Sequence, residues 1–188
     1  MTEFKLYMIL LGCKPEGRNV EQHDVFFGIA ESIKALKAEM VAFWPGSGKL
    51  HIDAWREVTV VEGFTINVMQ NIAPGQETEP ETKKLFFINL GGYQKFKFEE
   101  QHYMLLTVKP NRSAAMKEAK QTLFFQNNHF KGAASHIDDK YGIDVDELYE
   151  IEDLLTAPQK EKYRIAISTR IDEKEDEIHL GYLKLSVV

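Results

Sequence analysis

One stretch of this chain is written twice. Lys5-Leu6-Tyr7-Met8-Ile9-Leu10-Leu11-Gly12 returns as Lys84-Leu85-Phe86-Phe87-Ile88-Asn89-Leu90-Gly91, and Glu21-Gln22-His23 returns as Glu100-Gln101-His102, both displaced by 79 residues with no gap between them. A third match, His51-Ile52-Asp53 against His136-Ile137-Asp138, comes at a displacement of 85. Each copy is then a supersecondary unit that needs a neighbour to bury its apolar face. Between the copies, residues 73–82 are polar and hold two prolines, Pro74 and Pro80, which reads as a connection. The expected organisation is a first repeat over 1–72, a linker over 73–83, and a second repeat over 84–188 that carries an extra C-terminal strand. Units of roughly 70 and 100 residues are marginal for independent burial, so the two are expected to fuse into one globular unit about a pseudo-twofold axis.

Within the first copy, Lys5 to Leu11 is a short, nearly continuous apolar run closed by Gly12 and a Lys14-Pro15-Glu16-Gly17 turn, which predicts a buried strand and a loop. Asp24 to Ile29 is a second such run. Ser32 is placed to cap a helix whose Ile33, Leu36, Met40 and Phe43 share a face, and Pro45-Gly46 ends it. The segments Glu57 to Val61 and Phe64 to Val68, joined by Glu62-Gly63, predict a closing hairpin. The second copy follows with strands at Leu85 to Leu90 and His102 to Val108 and a helix from about Ser113 to Phe125. Leu148 to Leu155 reads equally as acidic helix or strand; Tyr163 to Thr169 and Ile178 to Val187 read as strands. The fold class is therefore α+β: two tandem ββαββ-type repeats related by a pseudo-twofold, mainly antiparallel sheet, few helices.

Composition removes several functions. With 44% apolar and 28% charged residues the chain is not a disordered tail or a low-complexity scaffold. Its net charge of −6 is concentrated in two acidic runs, residues 144–153 and 172–177, with no basic cluster to offset them, which excludes nucleic acid as a partner. No apolar stretch approaches the roughly 18 residues of a membrane span, and the N-terminus lacks the features of a signal peptide, so a cytoplasmic location without membrane contact is expected. Cys13 stands alone and can close no disulfide within the chain.

The repeated motifs are also where the chemistry lies. Residues two apart on a strand project to one face, so Glu21 with His23 and Glu100 with His102 each present a carboxylate and an imidazole together, as a metal-ligand pair or an acid–base pair requires. His51 with Asp53 and His136 with Asp138 have the same spacing, and an aspartate fixes the tautomer of a neighbouring imidazole. The structural alternative is that these groups satisfy backbone polar atoms at strand ends, a role that buried polar side chains commonly fill. The two-histidine phosphoesterases place a hydroxyl residue two positions after each histidine, where this chain has Asp53 and Asp138. Gly46-Ser47-Gly48-Lys49 lacks the outer glycine and the final hydroxyl residue of a phosphate-binding loop and is read as a helix stop.

These same residues carry a resemblance. A strand ending in Leu90-Gly91-Gly92-Tyr93, a Glu-x-His entering the next strand and a His-Ile-Asp ahead of an acidic hairpin resemble the domain-of-unknown-function family 1543, in two copies spanning Lys5 to about Val68 and Lys84 to about Thr169. The first copy departs from the pattern with Gly12-Cys13-Lys14, and the resemblance implies no activity; a protein of bacterial type is expected. No complete catalytic constellation has the required spacing. The expectation is a binding module for a small molecule, a protein partner or a second copy of the chain, with no cofactor named. The alternative is a hydrolase, metal-dependent or not, using the Glu-x-His and His-x-Asp motifs.

Overall fold

Strand β1, Lys5–Cys13, is apolar along almost its whole length because both of its edges and one full face are covered. In the computed structural model, which describes residues 3–71, 82–92, 96–121, 143–169 and 174–185, β1 pairs antiparallel with β2, Gln22–Ala30, and with β3, His51–Glu57. Its odd-numbered side chains, Tyr7, Ile9, Leu11 and Cys13, point into a core with Phe26, Leu36, Met40, Leu50 and Ile52. The predicted helix supplies Leu36 and Met40, but in two parts: a 3-10 turn, Ile33–Leu36, runs into α1, Lys37–Phe43. Ser32 occupies the cap position without a side-chain hydrogen bond, and its carbonyl accepts from Ala35 N instead.

The closing hairpin turns at Glu62-Gly63 as the sequence suggests, but its first arm is shorter. The His-Ile-Asp motif opens β3, which runs to Glu57, and β4 is only Val60–Val61 before the turn into β5, Phe64–Gln70. Glu62 and Gly63 both have positive φ, 52° and 76°, the two-residue turn that matches the twist of a hairpin.

In the later part of the chain, β6 (Lys84–Gly92) pairs with β7 (Gln101–Lys109) and with β8 (Ile143–Glu150). Helix α2, Arg112–Ala119, is capped by Asn111, whose side chain accepts from Ala114 N at 2.9 Å, and it buries Ala115 and Ala119 against Phe86, Ile88 and Leu90. The helix ends at Ala119, with Lys120 as its C-cap and Gln121 in a turn, short of the predicted end at Phe125, of which residues 122–125 lie outside the described residues. The ambiguous acidic segment is both things in turn, the end of β8 followed by α3, Ile151–Leu154. After α4, Ala157–Lys162, come β9, Tyr163–Thr169, and β10, His179–Lys184.

The ladder pairs these last strands with early ones. β9 runs antiparallel to β5 and β10 to β3, giving sheets ordered β10-β3-β1-β2, β4-β5-β9 and β7-β6-β8. Two compact units result, Met1–Glu79 with Leu154–Val188, and Pro80–Asp153. The expected division at 84–188 followed the repeat; the compact units follow strand pairing, because β5 and β3 each have an edge that only a late segment fills. The fold is α+β, mostly antiparallel sheet with few helices, and no helix among the described residues is long and apolar enough to cross a membrane.

Candidate functional site

Three neighbouring strands of the first unit set one row of residues side by side. In register, Gly12 of β1 stands between His23 of β2 and His51 of β3. A bulge in β3 between the pairs Leu10↔Ala54 and Leu11↔Ile52 inserts Asp53 into the same neighbourhood, the kind of irregularity that re-aims a side chain. Having no side chain, Gly12 lets the others close over it. A Cβ there would stand 2.3 Å from Asp53 Oδ2, 2.6 Å from His51 Nε2 and 3.2 Å from His23 Cδ2.

Acid and base alternate along the cluster. Glu21 Oε1 lies 3.0 Å from His51 Nε2, which lies 3.3 Å from Asp53 Oδ1, while Asp53 Oδ2 lies 3.1 Å from His23 Nε2. The middle is closed and the ends are open: the side chain of His51 is 5% exposed, against 44% for Glu21 and 46% for His23. These contacts are close without being aligned. His51 Nε2 and Asp53 Oδ2 are buried and among the described residues neither has a hydrogen bond in line, while His51 Nδ1 reaches the Lys49 carbonyl at 3.4 Å. Buried polar atoms in that condition are few in native proteins.

The donors are strung out rather than gathered. Metal ligation at about 2.1 Å requires several donors around one point, whereas Asp53 turns one oxygen to His51 and the other to His23. Among the described residues no group of three or more His, Cys, Asp and Glu side chains is placed to hold a metal ion. Cys13 adjoins the cluster but is buried, and burial first, then the charge of Glu21, pushes its thiol up from its ordinary value, which disfavours the thiolate a nucleophile needs.

The late strand β10 contributes a wall that the motifs did not reveal. Tyr182 lies over the His51 ring with centroids 4.3 Å apart, and His179 stacks on Trp55 at 4.0 Å. Gly181, at φ 126°, and a register shift between Leu180 and Leu183 set this geometry. The Gly181-Tyr182 pair was the available sequence signal; its link to His51 is not local. Trp55 thus lies on β3 under His179, and the Pro45 to Lys49 segment turns through Gly46 and Gly48 at positive φ.

In the second unit the corresponding row is His102, Gly91 and Asp144. Glu100 and His102 approach to 3.9 Å, and Asn89 Nδ2 lies 3.4 Å from His102 Nδ1. Beside Gly91 the ladder puts Asp144-Val145-Asp146 at the positions that His51-Ile52-Asp53 take beside Gly12, with the bulge at the same place. His136 and Asp138 lie outside the described residues. Of the eight sequence candidates, Glu21, His23, His51 and Asp53 come together, and Glu100 with His102 form a looser pair.

Residues 18–68, which contain the whole first-unit cluster, match the model of a family described as Domain of Unknown Function (DUF1543). No curated protein matches the chain. Among solved structures, the crystal structure of a protein Il1583 from Idiomarina loihiensis is similar with a TM-score of 0.64 and 17% identity, over 97% of this chain and 99% of that one. At that identity the likeness is one of fold.

Proposed function

We propose that this chain is a binding module built from two copies of one α+β unit, and that the first unit takes a small ligand at Glu21, His23, His51 and Asp53. Duplication is supported by the shared strand order, the matching bulges, and an ion pair repeated in register: Lys5 Nζ to Glu57 at 2.7 Å and Lys84 Nζ to Glu150 at 2.8 Å. The observation that carries the binding reading is the pair of buried, unaligned polar atoms, His51 Nε2 and Asp53 Oδ2, beneath two open ends. A ligand head group rich in N–H or O–H donors meets the carboxylate oxygens, and the two carboxylates favour a positive head over an anion.

Imidazole NMR signals test this during titration with small amines and polyols. Saturable shifts at His23 and His51, with His102 unmoved, support the reading; signals that stay fixed refute it. Stoichiometric zinc in protein purified without an affinity tag would make the cluster a metal centre instead.

One observation favours the hydrolase as a second reading. Asp53 lies against His23 Nε2, and Nδ1 of this half-exposed ring has no partner among the described residues, the arrangement of an oriented general base acting on water. Hydrolysis of a p-nitrophenyl ester that is lost in His23→Gln while the fold is kept would select it.

A further inference from the structure

A second polar site lies in the first unit, where α4 crosses β2 and α1. A half-open pocket of about 370 Å3 there is lined by Ile29, Glu39, Pro158, Gln159, Lys162 and Tyr163, within the size range of small-molecule sites. Gln159 is its fixed point. Although the residue is only 4% exposed, its amide nitrogen donates to Glu39 Oε2 at 2.8 Å and to the Ile29 carbonyl at 3.3 Å, while Oε1 stays buried without a partner among the described residues. A buried amide held with half its capacity unused is uncommon. Here it aims the Glu39 carboxylate.

Opposite charges line this cavity without closing on each other. Glu39 accepts from the neutral Gln159, and among the described residues no ion pair joins it to the exposed Lys162. Tyr163 brings a phenol whose ionisation burial, then Glu31 and Glu39, pushes up, so it stays a donor at neutral pH. Ile29 and Pro158 supply apolar wall. A carboxylate, a separate ammonium, a phenol donor and an apolar side describe the complement of one ligand chemistry.

From this arrangement we infer a binding site for a small zwitterion of the α-amino-acid type, its ammonium on Glu39, its carboxylate on Lys162 and its side chain against Ile29 and Pro158. The site shares no residue with the histidine cluster, so it stands or falls separately from the function proposed above.

The test uses the full chain and free L-leucine and L-phenylalanine as probes, read by backbone amide shifts and calorimetry. Saturable shifts at Ile29, Gln159 and Tyr163 are expected. The N-acetyl derivative, which lacks the ammonium, and the amino-acid amide, which lacks the carboxylate, are each expected to bind at least about tenfold more weakly. Glu39→Gln, which keeps an acceptor for Gln159, and Lys162→Met, at an exposed position, are expected to cause similar losses. Absence of saturable binding at millimolar probe overturns the inference, as does binding of the acetyl or amide form as tight as that of the free amino acid, or variants that bind as the parent does.

Discussion

Gly12→Ala puts the geometry of the histidine cluster under direct strain. The new methyl carbon would stand 2.3 Å from Asp53 Oδ2 and 2.6 Å from His51 Nε2, so each must retreat by about 1 Å to reach ordinary contact. His51 has little room to do so: it is 4% exposed, and Tyr182 lies 4.3 Å from its ring. Asp53, on the bulge and more open, moves first and parts from His23. Overpacking of this sort costs about 1–3 kcal/mol, and for a chain of this length each kcal/mol lowers the thermal midpoint by roughly 2–4 °C. Thermal denaturation gives the loss, and imidazole NMR gives the displacement of His23 and His51. The clash identifies its own control. In an Asp53→Ala background the shortest contact is gone while that to His51 remains, so the penalty for Gly12→Ala shrinks without vanishing, and a double-mutant cycle measures the difference. A Gly12→Ala protein within about 0.5 kcal/mol of the parent, with unchanged histidine signals, would refute the packing described for this site.

The core and the late strands make further tests. Leu36→Ala, at a fully buried position of the 3-10 turn, is expected to cost about 2–5 kcal/mol in urea unfolding, while Lys5→Met, removing a partly exposed ion pair with Glu57, costs less than about 1. Asp176 accepts from Thr59 N at 2.9 Å, Val60 N at 3.0 Å and the Thr59 hydroxyl; Asp176→Ala leaves these donors without it, at about 1–3 kcal/mol, and is expected to speed proteolysis of the C-terminal segment. Burial, then the charge and hydrogen bond of Glu57, pushes the Tyr7 phenol up to about 12. A raised folded value means that stability is intact below about pH 10 and falls by roughly 2–3 kcal/mol as pH rises from there toward 12. Alkaline absorbance titration of the seven tyrosines should show a late phase that Tyr7→Phe removes.

What the sequence disclosed depended on whether the signal was local. The apolar run from Lys5 to Leu11 shows a central strand directly, since each residue is covered where it stands. β3 is not evident as a strand in the sequence because His51, Asp53, Arg56 and Glu57 interrupt its apolar residues, and its pairing with β1 is what makes it one. The pairing of β5 with β9 joins residues almost a hundred positions apart, and no local pattern marks it. At the site, the four side chains that meet were legible from their spacing. Gly12 reads as a strand terminator, though the absent side chain is what lets them meet. Matching letters selected His136-Ile137-Asp138 as the partner of His51-Ile52-Asp53, whereas the ladder selects Asp144-Val145-Asp146, since strand register follows hydrogen bonding and not residue identity.

The central claim is that one carboxylate, Asp53, lies against two imidazoles and couples them in a single cluster. Long-range nitrogen–proton NMR of the histidine rings, compared between the parent and Asp53→Asn, tests it most directly. His23 and His51 should shift together while His102 and His179 hold still. A response from only one of the pair, or from neither, would contradict the account.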